Sequence, residues 1–302
     1  MTHGHETHDT HRVGLRRATT EYFDETSRGY PTVHVETPAG RTLDFCGVKH
    51  FSTSSPDRSI PERVDSEVSE FLQHESDGPK TVMIEGWREG KYDDTADMSD
   101  RELVDTHGEM ALVERRAKAA GAEIMSPEPS MHEEFEELCQ EFPPNQVYYW
   151  LVMRQAEQWT REDAVPKKRP WNKEKRQQRH ERVVDTHLSE YADRLQDALG
   201  HAPSFGEVTQ SLEMLQSTHA ELFGGEIDWN DTKFLQKITN PIEDPRRDST
   251  VINRIGQRSN EIRDQHIAGT IKSRLDAGSD VFAVYGDLHA WTQKPLLESY
   301  AN

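Results

Sequence analysis

Asp280-Val281-Phe282-Ala283-Val284-Tyr285-Gly286 decides the fold class. Five apolar residues in a row, stopped by glycine, suit a short strand buried on both faces better than a helix. Such a strand lies inside a covered sheet, and covered sheets are largely parallel. Upstream of it, Val251 to Ala277 reads as one long helix, broken at Gly278. Lys80-Thr81-Val82-Met83-Ile84-Glu85-Gly86 repeats the buried-strand pattern, and Gly121-Ala122-Glu123-Ile124-Met125 is a shorter copy that runs into Ser126-Pro127-Glu128-Pro129. Gly108 to Ala120 reads as a helix between them, after a polar loop from Trp87 to Asp105. Ile60 to His74 sets Val64, Val68, Phe71 and Leu72 on one helical stripe. Earlier still, Thr32 to Thr37 and Arg41 to Cys46 alternate on either side of Pro38-Ala39-Gly40, the signature of a β-hairpin. The order predicts an α/β fold: a mixed, largely parallel sheet flanked by helices.

The middle of the chain reads differently. Phe135, Leu138 and Phe142 recur at helical spacing, Gln146 to Trp159 is a second helix and Lys173 to Leu199 a third, stopped by Gly200. Residues 131–245 are therefore expected to form a mostly helical insertion or cap, within a single α/β domain over 21–302. Residues 1–20, with His3, His5, His8 and His11, are expected to be a disordered tail.

Composition narrows the function classes. With 55 acidic against 36 basic residues, the formal net charge is −19, which argues against a general nucleic-acid binder that must neutralise phosphates. There is neither a membrane-length apolar run nor an apolar leader, and two cysteines make no disulfide framework, so a cytoplasmic location is expected. Lys167 to Arg182 holds eight basic and two acidic residues around Trp171, and would pair with an acidic face of this chain or of an identical subunit in a homo-oligomer. Cys46 lies in a strand, where a small buried hydrophobe is its ordinary role. No Gly-x-Ser-x-Gly elbow, P-loop or dinucleotide fingerprint is present.

Four polar residues occupy equivalent places. His50 follows the second hairpin strand, Glu85 closes the third strand, Glu128 closes the fourth and His289 follows the last. Both histidines share a Gly-x-x-His frame, Gly47-Val48-Lys49-His50 and Gly286-Asp287-Leu288-His289, where the glycine would allow a sharp exit from the strand. Ligands of open α/β sheets bind beyond the carboxyl ends of parallel strands, so these side chains would converge. Two imidazoles with carboxylates suit a divalent Mn, Co or Zn ion with open positions for water. Without metal, a histidine could act as general base with a carboxylate orienting it. Either route is hydrolytic, with a small-molecule or peptide substrate.

These motifs resemble the TraB/PrgY–TIKI family, related to erythromycin-esterase and ChaN-like proteins. The resemblance rests on the early Gly47-x-x-His50, on Glu85 at the next strand end, on Arg263-Asp264 in the late helix and on Gly286-x-x-His289, with Gly108-Glu109 and Glu128-Pro129 as variants. It covers about residues 32–129 and 250–297. It implies an EreA/ChaN-like sheet and a hydrolase, metal-dependent in some members, that cleaves a peptide, ester or lactone bond. On that pattern His50, Glu85 and His289 would be ligands or bases, Arg263 an electrostatic stabiliser, and Glu109, Glu128, Asp264 and His266 supporting groups. Lys49 departs from it, since a small residue or threonine is usual there. The alternative is a binding protein of the same fold carrying haem or another small ligand, with Tyr285 as an axial donor. A third reading is a regulator that works through the basic middle segment.

Overall fold

The computed structural model describes residues 14–27, 29–50, 57–162, 173–242 and 249–302. The strands are β1 Thr32–Glu36, β2 Thr42–Val48, β3 Lys80–Ile84, β4 Glu123–Met125 and β5 Asp280–Gly286. The helices are α1 Glu21–Thr26, α2 Ser59–Gln73, α3 Asp100–His107, α4 Glu109–Ala120, α5 Met131–Cys139, α6 Pro144–Glu162, α7 Lys173–Arg182, α8 Leu188–Leu199, α9 Leu212–Phe223, α10 Thr232–Thr239, α11 Val251–Asp276 and α12 Asp287–Glu298. A π-helical turn, Val183–His187, joins α7 to α8, so the expected single helix runs on through a change of pitch. The chain divides into two compact units, Met1–Glu128 with Arg263–Asn302, and Pro129–Ile262; the division falls within α11.

The first unit is the α/β one. Its sheet has the order β1-β2-β5-β3-β4, with β1 antiparallel to β2 and the other neighbours parallel. β5 is central, as its unbroken apolar run requires, and alternate residues feed opposite layers. Val281, Ala283 and Tyr285 pack with Ile267, Ile271 and Leu275 of α11 and with Ala290 and Leu297 of α12. Phe282 and Val284 pack with Val64, Val68 and Phe71 of α2 and with Val113 and Ala117 of α4. The two covered faces account for the pattern read from the sequence: every side chain of β5 from Asp280 to Tyr285 is buried.

Two expectations need correction. Trp87 to Asp105 is not wholly loop: a 3₁₀ turn forms at Asp93–Thr95, and α3 begins at a capping box. There the Ser99 side chain accepts from the Glu102 backbone N–H and the Glu102 carboxylate accepts from the Ser99 N–H. The Ser-x-x-Glu signature was present, but the apolar content around it is too low to announce a helix. Residues 14–20, within the expected tail over 1–20, are instead packed structure. From Gly14 the chain is described, Arg16 N–H donates to Thr292 O (2.7 Å), Ala18 is buried and Tyr22 Oη donates to Asp287 (2.6 Å). Residues 1–13, with the tail histidines, and 163–172, with Lys167 to Trp171, lie outside the described residues.

The second unit is helical. Its core joins Phe135, Leu138, Trp150, Leu195, Leu215, Leu235 and Ile255, from the apolar stripes of successive amphipathic helices, with Trp229 from the turn between α9 and α10. Another capping box, Ser130 with Glu133, opens α5. Among the described residues no helix is long and apolar enough to cross a membrane.

Candidate functional site

The register of the parallel strands sets the site. Val48 pairs with Gly286, and Ile84 with Val284, so β2, β5 and β3 end at nearly one level. His50 leaves β2 on one side of Gly286 and Glu85 leaves β3 on the other. His289 stands in the first turn of α12, which begins immediately after β5. A Cβ placed on Gly286 would lie 3.5 Å from Glu85 Oε2, 3.6 Å from His50 Nε2 and 3.9 Å from His289 Cδ2. The three residues singled out from distant parts of the chain thus surround the one place in the strand end that has no side chain.

The two glycines do not serve as sharp exits from the strands, because neither has a positive φ. Gly47 is required for close approach. A Cβ there would meet Pro31 O at 2.6 Å and Ala290 Cβ at 2.7 Å. Gly286 keeps space open. The glycine whose left-handed conformation matters is Gly108 (φ 79°), which turns the chain into α4 so that Glu109 opens the helix and remains 2 % exposed.

Each imidazole is held by its own carboxylate. His50 Nδ1–H donates to Glu109 Oε1 (3.0 Å), while Nε2 faces Glu85 Oε2 at 3.3 Å. Glu109 and Glu85 together push the His50 pKa up to about 10, against the opposing effect of burial. On Glu85 burial acts to raise the pKa, but the bond to His50, the nearby His289 and Arg263 outweigh it and hold the carboxyl well below the usual range. His289 is the more enclosed, with a side chain 7 % exposed against 52 % for His50. Its Nδ1–H donates to Asp264 Oδ1 (2.7 Å), which leaves Nε2 with no hydrogen-bond partner among the described residues. Asp264 also accepts from Thr292 Oγ1 (2.6 Å) and Gln293 Nε2 (2.7 Å).

Arg263 neutralises the acid side of the site. Its Nε donates to Glu128 Oε1 (2.9 Å), and its Nη2 to both Glu128 and Glu85, the latter at 3.2 Å. Glu128 in turn accepts from Gly86 N–H (2.9 Å), and Glu85 from Gly286 N–H (2.7 Å), so both carboxylates are fixed by strand-end backbone as well. Four carboxylates share one arginine and two imidazoles, leaving the site net acidic and hospitable to a cation.

The donor set suits a divalent ion in part. His50 Nε2 and Glu85 Oε2 are separated by 3.3 Å, close to the about 3.4 Å between two ligands of a tetrahedral Zn-like ion. Each histidine has its Nδ1 tied to a carboxylate, the usual support of a ligating imidazole. No three such side chains among the described residues already enclose a common ion position, so His289 would have to turn inward or water would complete the set.

Of the residues predicted for the site, His50, Glu85, Glu109, Glu128, Arg263, Asp264 and His289 form one connected network. His266 does not join it; no hydrogen bond or ion pair ties it to the site, for two residues beyond Asp264 a helical side chain has turned to another face. Lys49 is turned to the Tyr30 ring, 5.9 Å from its centroid. Tyr285 is fully buried in the sheet core, unlike an axial donor open to a ligand. Cys46 is buried beside Arg63, and burial pushes its thiol well above the ordinary range, far from a nucleophile. Thr292 and Gln293 were missed, although they follow His289 at i+3 and i+4 and so share its helix face. No protein-family model, curated protein or solved structure matches the chain.

Proposed function

We propose that the chain is a hydrolase of the TraB/TIKI-like type that cleaves a peptide, ester or lactone bond over Gly286. The observation that carries this reading is the convergence of His50, Glu85 and His289, from three separate strand ends, on the gap left by that glycine. Asp264 holds His289 in the tautomer that leaves Nε2 free to accept a proton from water, the posture of a general base. His50 faces a carboxylate at each ring nitrogen, so it carries both protons and can donate to the oxygen that gains charge. Arg263 holds Glu85 and Glu128 in place. A divalent Mn, Co or Zn ion, held by His50, Glu85 and His289, would when bound lower the pKa of its water and polarise the scissile carbonyl.

The test is turnover of a peptide, ester and lactone panel by the wild type and by His289→Ala, His50→Ala and Glu85→Gln, after chelation and after adding back each metal. Loss of about 10³-fold in every variant is expected. A substrate cleaved equally by all four proteins would remove the assignment. Metal content measured on the same samples separates the two routes, since His50→Ala lowers it only in the metal-dependent one.

A further inference from the structure

The helical unit contains a cavity of about 480 Å³ that the hydrolase reading does not use. Three helices face it, each with polar residues on the stripe where a bundle core would ordinarily be apolar. α6 presents Trp150, Arg154 and Glu157, at i, i+4 and i+7. α10 presents Gln236 and Thr239, and α11 presents Gly256 and Asn260. Bundle cores that carry ligand sites are built in this way, from side chains on facing helices.

The polarity is ordered rather than mixed. Trp150 is 2 % exposed, yet its indole Nε1–H has no hydrogen-bond partner among the described residues. It lies 3.2 Å from the position a Cβ on Gly256 would take, and Thr239 O lies 3.2 Å from that same position. A buried donor and a helix-terminal carbonyl therefore meet at one empty point on the cavity wall. Arg154 stacks over Trp150 (5.4 Å from the ring centroid), so a cation stands beside the unused N–H. On the other side the Glu157 carboxylate, 6 % exposed, accepts from Gln236 Nε2 (3.0 Å), and α10 ends in carbonyls that favour positive charge.

We propose that this cavity binds a free α-amino acid. Its carboxylate is received by Trp150 Nε1–H and Arg154, and its ammonium by Glu157 and the carbonyl end of α10. A buried indole N–H left unpaired costs stability unless a ligand satisfies it, and 480 Å³ falls within the usual range for small-molecule sites. Gly256 is the permissive position, since any side chain would enter the point where donor and acceptor meet.

The experiment is calorimetric titration of the full chain with the common L-α-amino acids, each beside its N-acetyl and carboxamide forms, with glucose as a neutral control. We expect one side-chain class to bind, and blocking either charged end to weaken binding about tenfold or more. Arg154→Met, at an exposed position, and Trp150→Phe should each weaken the free amino acid at least tenfold, with the fold checked by circular dichroism. Gly256→Ala should do the same without touching a charged group. The proposal is overturned if no amino acid binds, if the blocked forms or glucose bind as well, or if Arg154→Met and Gly256→Ala both bind like the wild type.

Discussion

The two Gly-x-x-His corners are the same four-residue frame at two neighbouring strand ends, and they are built in opposite ways. At the β5 corner the chain passes straight into α12, and His289 is enclosed with Asp264, Thr292 and Gln293, all almost fully buried. At the β2 corner His50 stands half exposed, with its one buried support, Glu109, supplied by α4. The glycines differ as well: Gly47 is pressed against Pro31 and Ala290, whereas Gly286 has nothing nearer than 3.5 Å. An identical motif thus marks a rigid corner that fixes a ring and an open corner that offers one.

The largest difference should appear when each histidine loses its carboxylate. Asp264→Ala strands two buried donors, on His289 and Gln293, and leaves Thr292 Oγ1 only the His289 carbonyl at 3.1 Å, so it should cost about 3 kcal/mol or more. Glu109→Ala frees a histidine that water can reach, and should cost about 1 kcal/mol. Urea unfolding of the two variants measures both; equal losses would mean the corners are built alike.

Glycine substitutions sharpen the contrast next. Gly47→Ala puts a methyl within 2.6–2.7 Å of backbone oxygen and a helix methyl, so strand and helix must part at about 1–3 kcal/mol. Gly286→Ala meets only ordinary contacts, and should change stability by less than about 0.5 kcal/mol. Its methyl nevertheless occupies the space shared by His50, Glu85 and His289, so on the proposed function it should abolish hydrolysis in a folded protein. Retained turnover in Gly286→Ala would move the reaction away from this gap.

How far these corners could be read beforehand follows from what each depends on. The buried strands and the site-bearing turns were legible because runs such as Val281 to Tyr285 and the abrupt glycines carry local signals. The strand order was not, since β5 enters between β2 and β3 from the far end of the chain and only long-range packing decides it. Glu109 and Asp264 could be singled out, but not which histidine each would hold. Thr292 and Gln293 escaped notice because polar residues on a helix usually face water, and here both are buried. α3 was missed for the opposite reason: its helix signal is a cap rather than an apolar stripe.

The smallest effect tests the open corner through its titration. The folded His50 pKa, raised to about 10 by Glu109 and Glu85, exceeds the ordinary imidazole value of about 6.5. A group whose pKa is raised by folding stabilises the protein fully below the unfolded value, and that contribution disappears as pH climbs through the folded one. Between pH 6.5 and 10 the wild type should therefore lose stability steadily, and His50→Gln, which cannot bind the extra proton, should lose less over the same interval. Half the ring is exposed, so solvent screening keeps the difference modest and makes the slope, rather than the absolute stability, the quantity to compare. Melting temperatures of the two proteins at intervals across that range decide it. Parallel curves would mean that His50 is not held as a cation between its two carboxylates, and the donor role assigned to it would pass to Arg263.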